Sequence, residues 1–339
     1  GISMVLNPEL GAAYEIARLM RFPSAMEVNK FSKGRIEMLK YRIPSGSRLD
    51  GMNLSMVGEH LNCDILICAV EREKKLIIPT GSFELKEKDI ISFVARPDNA
   101  MEFFRKIGEK KNQIHDVMIV GGSKIAFYLC KLLVASGINV KLVDKKMERC
   151  EEMSDLLPKV MVINGNGMDH DLLMEEGLSD MDAFLALTNH DEENIFLALY
   201  VQEQTEAKLV TKVQKINYNA MIERLDLGSM IYPEYLTAQY LVQYVRAKQN
   251  SIGSNIENLY KLMDGRAEAL EFHIQKGSPV IGTPIQELPI IKNLLICSIY
   301  RNGKAMIPNG QDVILEDDLV VVVTTKKGLH DVKDILRRG

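Results

Sequence analysis

Residues 65–91 recur at 294–320 without a gap, and this internal repeat constrains the fold more than any other feature of the chain. Ten of the 27 aligned positions are identical, and several mismatches are conservative, such as Val70 against Ile299. Self-similarity of this length indicates duplicated structural units. The identities pair Leu66, Ile67, Cys68, Arg72, Lys75, Ile78, Pro79, Gly81, Glu87 and Asp89 with Leu295, Ile296, Cys297, Arg301, Lys304, Ile307, Pro308, Gly310, Glu316 and Asp318.

The duplication extends towards the beginning of the chain. Asn7-Pro8-Glu9 aligns with Tyr232-Pro233-Glu234, and each tripeptide precedes a helical pattern. One nucleotide-binding-like region, 114–230, lies between the copies and has no counterpart before residue 1. We therefore expect residues 1–32 to be the end of a first such domain, whose helix packs on a neighbouring domain or on a symmetry mate and builds no second nucleotide site.

The region between the copies alternates strands with helices. Such alternation predicts a parallel sheet with helices on both faces. Its predicted strands are 117–120, 140–143, 160–163, 183–187 and 209–213, and its predicted helices lie at about 124–136, 146–156, 169–176 and 191–204. Each small copy reads as a set of short strands, with a short helix near 52–60 in the first copy and a closing helix at about 328–338 in the second. Residues 96–112 and 247–255 read as polar linkers.

Composition excludes several classes of protein. The net charge is −4 and no long Lys/Arg cluster occurs, which argues against a nucleic-acid partner. The longest apolar runs have the length of a strand and not the ~20 residues that span a bilayer. The five cysteines form no Cys-x-x-Cys pair and are odd in number, so we expect reduced, buried thiols. These features predict a cytoplasmic protein.

A nucleotide signature begins at the first strand of the middle region. The apolar run at 117–120 enters a turn of small residues, Gly121-Gly122-Ser123, and continues into a helix through Lys124-Ile125. Small residues let the backbone approach a pyrophosphate, and the helix N-terminus supplies partial positive charge. Ser123 and Ala126 replace the second and third glycines of the strict motif. Asp144 ends the next strand, where its carboxylate can accept hydrogen bonds from ribose hydroxyls and would repel a 2′-phosphate.

Two further loops would line the same cleft, because ligands bind beyond the carboxyl ends of parallel strands. Asn164, Gly165 and Asn166 follow the third strand, and Thr188 and Asn189 follow the fourth. Asn189 can equally be the N-cap of the next helix, whose first turn is acidic. Two readings remain open, namely a working nucleotide site and an inherited fold that has lost its ligand.

Catalytic and metal sites find little support in the sequence. A dehydrogenase needs a general acid or base beside the nicotinamide, and the six histidines are scattered. The loop at 164–171 fails the spacing of a calcium loop. The duplicated copies are poor in catalytic residue types and are typical of binding and assembly modules. We therefore favour a binding protein over an enzyme and keep an NAD-dependent oxidoreductase as the alternative.

Several motifs resemble one family, the TrkA regulatory subunits of bacterial potassium uptake, in which two RCK units (regulators of potassium conductance) follow one another. The matching segments are VMIVGG at 117–122, LVD at 142–144, LLPKVMVINGNG at 156–167, LLMEEGLSDMDAFLALTNHDEEN at 172–194 and the PxGxxxxxEDD pattern at 308–318. The chain departs from the family pattern at Ser123, Asn166 and His190, where Gly, Asp and Asp are usual.

The resemblance implies an α/β fold with a Rossmann-like parallel-sheet domain flanked by two small α/β RCK C-terminal domains. It implies NAD(H) as ligand, with ATP or ADP as a further possibility, and no catalytic role. The implied partners are a membrane potassium transporter on the inner face of the membrane, further copies of the chain in a dimer or ring, and a small-molecule effector in the small domains. The implied segments are 1–32 (remnant crossover helix), 33–99 (first C-terminal domain), 113–252 (Rossmann domain with crossover helix) and 253–339 (second C-terminal domain).

Overall fold

The computed structural model describes residues 6–109, 113–214, 225, 227–250, 255–262 and 265–337. The chain divides into two compact units. The first unit comprises Gly1–Met26 and Lys111–Ala238, and the second comprises Glu27–Lys110 and Gln239–Gly339.

The strands in chain order are β1 (Glu27–Phe31), β2 (Ile36–Arg42), β3 (Ile65–Arg72), β4 (Lys75–Ile77), β5 (Ile90–Ala95), β6 (Asp116–Val120), β7 (Asn139–Asp144), β8 (Met161–Asn164), β9 (Ala183–Ala186), β10 (Lys208–Lys212), β11 (Ser229–Ile231), β12 (Ile256–Leu262), β13 (Ala267–His273), β14 (Leu294–Arg301), β15 (Lys304–Met306) and β16 (Leu319–Thr324). The helices are α1 (Pro8–Arg21), α2 (Leu54–Leu61), α3 (Pro97–Ile107), α4 (Lys124–Ala135), α5 (Met147–Leu156), α6 (His170–Glu175), α7 (Asp191–Gln204) and α8 (Pro233–Asn250).

The first unit contains a parallel sheet in the order β11-β10-β9-β6-β7-β8. The central strands β6 and β9 are buried along almost their whole length, which explains their continuous apolar sequences. The sequence predicted five of these strands, and the sheet has a sixth, β11. β11 is only three residues long, too short to give a periodic pattern of its own.

Helix α1 belongs to this first unit and packs against α4. Asn7 caps α1, because its side-chain oxygen accepts the Leu10 N–H at 2.9 Å, and Pro8 occupies the first turn, where its missing N–H costs nothing. The Asn7 amide also donates to the Tyr128 hydroxyl on α4 at 3.1 Å. Of the two expected packing partners, a neighbouring domain or a symmetry mate, the structure shows the first in one respect: α1 packs on a helix of the parallel-sheet region and forms one compact unit with it.

The second unit contains both repeated copies, and their sheets have the same antiparallel arrangement. The orders are β1-β2-β5-β3-β4 and β12-β13-β16-β14-β15. The register of β3 against β5 shifts after Ile67, and that of β14 against β16 shifts after Ile296. The repeat in the sequence therefore corresponds to a repeat in strand order, direction and irregularity.

An apolar cluster joins the two copies within the second unit. Buried side chains from both sheets contribute to it, among them Phe31 and Met38 from the first copy and Leu262 and Val321 from the second. Phe31 also packs edge-on against Tyr260, with ring centroids 4.9 Å apart. All five cysteines of the chain are buried and free, as predicted.

Three expectations about the small copies are corrected by the structure. Residues 96–112 are not simply a polar linker, because α3 buries Ala100, Phe103 and Phe104 there. The helix expected at 328–338 is wrong, since the described part of that segment holds only a 3₁₀ turn at Val332–Ile335. Glu27–Phe31, assigned from sequence to the first segment, is an edge strand of the first small sheet.

Throughout the described residues, no helix combines the length and the apolar character needed to span a bilayer.

Candidate functional site

A cleft of about 300 Å³ opens at the carboxyl ends of the parallel strands of the first unit. The chain proceeds from β6 to β7 and β8 on one side and then crosses to β9 on the other, so the strand order reverses between β6 and β9. Open α/β sheets bind their ligands at such a reversal. The loops that follow β6, β7 and β9 all contribute to the lining.

The turn after β6 requires glycine at its first position. Gly121 has a φ of +104°, and a Cβ there would lie 2.7 Å from the backbone nitrogen of Thr188. Its N–H donates to the carbonyl of Val143 at 2.9 Å. The loops after β6 and β9 therefore touch through their backbones, and no larger residue fits between them.

Ser123 is the N-cap of α4. Its Oγ accepts the N–H of Ala126 at 3.3 Å, and its backbone is extended. A serine in the second glycine position of the motif is thereby used to satisfy one of the unpaired N–H groups of the helix N-terminus. Ser123 nevertheless lines the cleft together with Gly121 and Gly122.

Asp144 lines the cleft from the end of β7, and both of its carboxylate oxygens accept backbone hydrogen bonds. Oδ2 accepts the Gly122 N–H at 2.6 Å, and Oδ1 accepts the Lys146 N–H at 2.8 Å. The carboxylate is thus fixed beside the glycine turn, in the place that the dinucleotide motif gives to the acidic residue that contacts the ribose.

The structure separates the predicted site residues into two groups. Gly121, Gly122, Ser123, Asp144, Asn166, Thr188 and Asn189 line the cleft, whereas Lys124, Ile125, Asn164 and Gly165 do not. Asn164 and Gly165 support the site from behind, because the Asn164 amide and the Gly165 N–H both donate to the Asp144 carbonyl, at 3.2 and 3.0 Å. These assignments as ligand contacts remain predictions.

The loop after β9 is held by a buried amide that the sequence did not single out. Asn194 accepts the N–H and the hydroxyl of Thr188 at 3.0 and 2.8 Å, and it donates to the carbonyls of Thr188 and Lys212 at 3.1 and 2.9 Å. The expectation that Asn189 caps the next helix is wrong. His190 is the N-cap residue of α7 and makes no side-chain cap, while the Asn189 side chain accepts a hydrogen bond from Lys212.

Three basic residues of the lining were also missed from sequence: Lys145, Lys146 and Arg149. Arg149 donates from Nε to the Gly122 carbonyl at 2.5 Å, and Lys145 lies 3.6 Å from Glu193 across the cleft. Their placement directly after an acidic strand end was the available signal. Lys145 and Arg149 also pair with Glu193 and Glu152, so Lys146 and the N-terminus of α4 are the features of this side that most suit a phosphate.

Two histidines were considered near the cleft, and the structure distinguishes them. His170 stacks on Tyr200, with ring centroids 3.6 Å apart, and is not part of the lining. His190 is part of the lining, and its Nδ1 lies 3.4 Å from Glu193.

A second cavity, of about 630 Å³, lies in the second small domain. Lys326, His330 and Lys333 line it together with Asp334 and apolar side chains. The Asp334 carboxylate accepts hydrogen bonds from the backbone N–H groups of His330 and Asp331. A small-molecule effector in the small domains remains a prediction.

Comparison with known proteins agrees with this arrangement. The TrkA-N domain model matches residues 117–233, which include the cleft, and the TrkA-C domain model matches residues 38–108 and 269–337. The Trk system potassium uptake protein TrkA homolog 1 of Methanosarcina mazei is 26% identical over 98% of this chain and 73% of its own length. The Trk system potassium uptake protein TrkA of Haemophilus influenzae is 29% identical over 99% of this chain and 73% of its own.

Solved structures show the same fold at low identity. The crystal structure of the GsuK RCK domain aligns with 96% of this chain and 69% of its own, with a TM-score of 0.53 and 15% identity. The GsuK channel bound to NAD aligns with 94% of this chain and 56% of its own, with a TM-score of 0.51 and 14% identity.

Proposed function

Since the chain belongs to the TrkA family, we propose that it is a regulatory component of a potassium uptake system and that a nucleotide bound in its cleft controls the transporter. NAD(H) is the first ligand of this proposal, because a protein of the same fold was solved with NAD, and ATP and ADP are the next. The proposed place of action is the cytoplasmic face of the membrane. There an oligomer of the chain, a dimer or a ring, would contact the transporter.

One observation carries the proposal: the glycine turn, the N-terminus of α4 and the Asp144 carboxylate meet at the reversal point of the sheet. The Gly122 N–H and Asp144 are only 2.6 Å apart, so a ribose beside the carboxylate would bring its phosphates to the turn. Lys145 and Lys146 add positive charge at the same edge. This is the arrangement expected for a ligand that contains both a ribose and phosphates.

Control of the transporter requires that the nucleotide bind two states of the assembly with different affinities. Couplings of this kind are typically ~1–3 kcal/mol. Such coupling requires neither chemical conversion of the nucleotide nor a catalytic base. Among the histidines, all of which the structure describes, His190 alone lines the cleft, and it pairs with Glu193. We therefore propose ligand binding and not turnover.

The ligand is tested by calorimetric titration of the chain with NAD, NADH, ATP and ADP. We expect one nucleotide per chain. Replacing Asp144 with Ala removes the proposed acceptor for the ribose hydroxyls and should weaken binding by roughly 1–3 kcal/mol. NADP should bind the parent more weakly than NAD, because its 2′-phosphate would meet the charge of Asp144.

Asp116→Ala is the matched control for this titration. Asp116 begins β6 at the opposite end of the sheet, where its carboxylate accepts the Asn139 amide at 3.0 Å. Its loss should leave nucleotide affinity unchanged. Equal affinity of the Asp144 variant and the parent, or a preference for NADP, would show that the ribose is not held at Asp144.

Regulation is tested by potassium flux through the reconstituted transporter, with and without the full-length subunit and with and without nucleotide. We expect flux to depend on both additions. Flux that ignores both would refute the regulatory role. Steady oxidation or reduction of a small substrate with NAD(H) would instead support the oxidoreductase alternative.

A further inference from the structure

A buried lysine lies directly behind the cleft. Lys212 is the last residue of β10, at the same edge of the sheet as the cleft, and only 2% of it is exposed. Its ammonium donates to the Asn189 side-chain oxygen at 3.0 Å. A lysine buried this deeply needs a partner, and the partner here is a residue of the cleft lining.

The contact with Lys212 fixes which way the Asn189 amide points. An ammonium group has donors only, so the amide atom that faces it has to be the oxygen. The Asn189 Nδ2 is then left on the other side, with two N–H donors. Within the part of the chain that the structure describes, this nitrogen donates to no protein acceptor. A ligand atom that meets the Asn189 Nδ2 in the cleft must therefore be an acceptor.

The rest of the loop is rigid enough for this orientation to matter. Asn194 makes four hydrogen bonds that tie Thr188 to the carbonyl of Lys212. Asp191 accepts the backbone N–H of Gln214 at 2.9 Å. The loop after β9 is thus hydrogen-bonded to the end of β10 on both sides of Asn189. What Lys212 adds is the orientation of the Asn189 side-chain amide.

We infer that Lys212 is a positioning residue of the nucleotide site: its ammonium holds the Asn189 oxygen, so that Asn189 presents N–H donors to a phosphate or ribose oxygen of the ligand, and nucleotide affinity falls when Lys212 loses its proton. This inference rests on the proposed nucleotide function. The loops after β6 and β9 flank the reversal point, where phosphates bind in sheets of this kind, and phosphate oxygens are acceptors only.

The charges around Lys212 set the sign of the pH effect. Burial lowers the pKa of Lys212, and the charge of Asp191 at the start of α7 opposes that shift. The neighbouring strands β9 and β11 carry no titratable side chain, and the other lysine of β10, Lys208, lies at its opposite end. A neutral amine is an acceptor as well as a donor, so it no longer excludes the reversed amide of Asn189. Affinity should therefore be highest at neutral pH and should fall as the pH rises towards the ordinary lysine value of about 10.4.

The test compares the parent with Lys212→Arg and Lys212→Met, using ADP and NADH as probes and measuring Kd from neutral to alkaline pH. Arginine keeps its charge throughout this range, so Lys212→Arg should show a smaller alkaline loss than the parent, because Lys145 and Lys146 line the cleft in both proteins. Lys212→Met should bind roughly tenfold more weakly than the parent at neutral pH, the usual effect of losing one charge-assisted hydrogen bond, and its alkaline loss should also be smaller than the parent's.

Lys208→Met is the matched control, because it removes a second buried lysine from the same strand. The Lys208 ammonium donates to the Ala25 carbonyl at 2.5 Å, away from the cleft. This variant should lose stability and yet keep the affinity and the pH profile of the parent. Any general damage from removing a buried cation in β10 is thereby separated from the effect on the site.

A second pair of variants tests the donor requirement directly. Asn189→Ala should lose one hydrogen bond to the ligand, whereas Asn189→Asp should bind more weakly still, because it presents an acceptor to an acceptor. Parent-like affinity in Lys212→Met, or an alkaline loss in Lys212→Arg as large as the parent's, would overturn the inference while leaving nucleotide binding intact. A parent that binds neither ADP nor NADH would refute the proposed function itself, and this inference with it.

Discussion

The two small domains have sheets of the same topology and differ in what packs on them. In the first copy α2 and α3 pack on the sheet, whereas the second copy has 3₁₀ turns at Ile285–Glu287 and Val332–Ile335. Pro289 stands inside the segment where the second copy would need the equivalent of α2, and proline inside a helix removes a hydrogen bond and clashes with the preceding turn. The repeated residues thus determine the sheet, and the residues that are not repeated determine its cover.

The cover of the first copy is aromatic and that of the second is aliphatic. Phe103 on α3 packs against Phe93 of the sheet, with ring centroids 4.8 Å apart, and lies 5.6 Å from Phe104. At the equivalent distance from the repeat, the second copy has Val332, which is also fully buried. A helix in the first copy and a 3₁₀ turn in the second therefore pack at equivalent places on equivalent sheets.

The largest effect is expected from truncating Phe103, and Val332 is its counterpart in the second copy. Phe103→Ala should lower the free energy of unfolding by about 3–5 kcal/mol, because it leaves a cavity the size of a ring. Val332→Ala removes only two carbon atoms and should cost about 1–2 kcal/mol. Urea denaturation measures both. Equal losses would mean that the 3₁₀ segment supports its sheet as strongly as α3 does, and would erase the distinction between the two covers.

A buried ion pair is the most closely matched feature of the two copies. Arg72 donates to both carboxylate oxygens of Asp89, at 2.8 and 2.7 Å, and Arg301 donates to Asp318 at the same distances. Both aspartates are almost fully buried. Each also accepts a backbone N–H from three residues earlier, which closes the loop before the last strand.

Replacing either arginine with Met leaves a buried aspartate without its cation. We expect a loss of about 3 kcal/mol in each case, the lower part of the range for broken buried pairs, because the arginines are partly exposed. Arg105→Met removes an arginine that is 66% exposed and should change stability little. Losses that differ strongly between the Arg72 and Arg301 variants would show that the helices or turns packed on each sheet, and not the repeated sheet itself, determine how much this ion pair contributes to stability.

The sequence predicted the fold where its pattern was long and periodic. Five strands of the parallel sheet and its four helices from α4 to α7 lie where alternation placed them. The failures have local causes. β11 is only three residues long. α3 lies in a mostly polar segment, so its two phenylalanines, Phe103 and Phe104, were not recognised as part of a buried helix face. The segment expected to form the last helix contains Gly328, which has a φ of +77°.

The sequence predicted the glycine turn of the candidate site better than the buried residues that hold its loops in place. Glycines and an aspartate at fixed spacing identified Gly121, Gly122 and Asp144, because backbone approach to phosphate requires them. Asn194 and Lys212 gave no such signal, since a buried amide and a buried lysine become meaningful only when the fold brings them behind Thr188 and Asn189.

The smallest effect is expected where the two copies meet and their symmetry breaks. Glu271 on β13 accepts the N–H and the hydroxyl of Ser32 in the first copy, at 2.6 and 2.9 Å. Lys40 holds the equivalent position in the first copy, opposite Ser92 as Glu271 is opposite Val321. Only the second copy has a carboxylate at this position, so this pair of hydrogen bonds from Glu271 to Ser32 (the Glu271 clamp) has no counterpart made by Lys40.

Burial raises the pKa of Glu271, and hydrogen bonds from Asn258 and Ser32 partly offset that shift. Because the folded protein then holds this proton more tightly than the unfolded chain, the contribution of Glu271 to stability is greatest below the ordinary glutamate pKa of about 4.3 and declines as the pH rises through the raised value. Glu271→Gln should remove that decline, so the variant's free energy of unfolding should fall less than the parent's over this window. Glu316→Gln, at an exposed position of the same copy, should keep the parent's profile. An unchanged profile in Glu271→Gln would mean that the ionisation of Glu271 does not contribute to the pH dependence of stability.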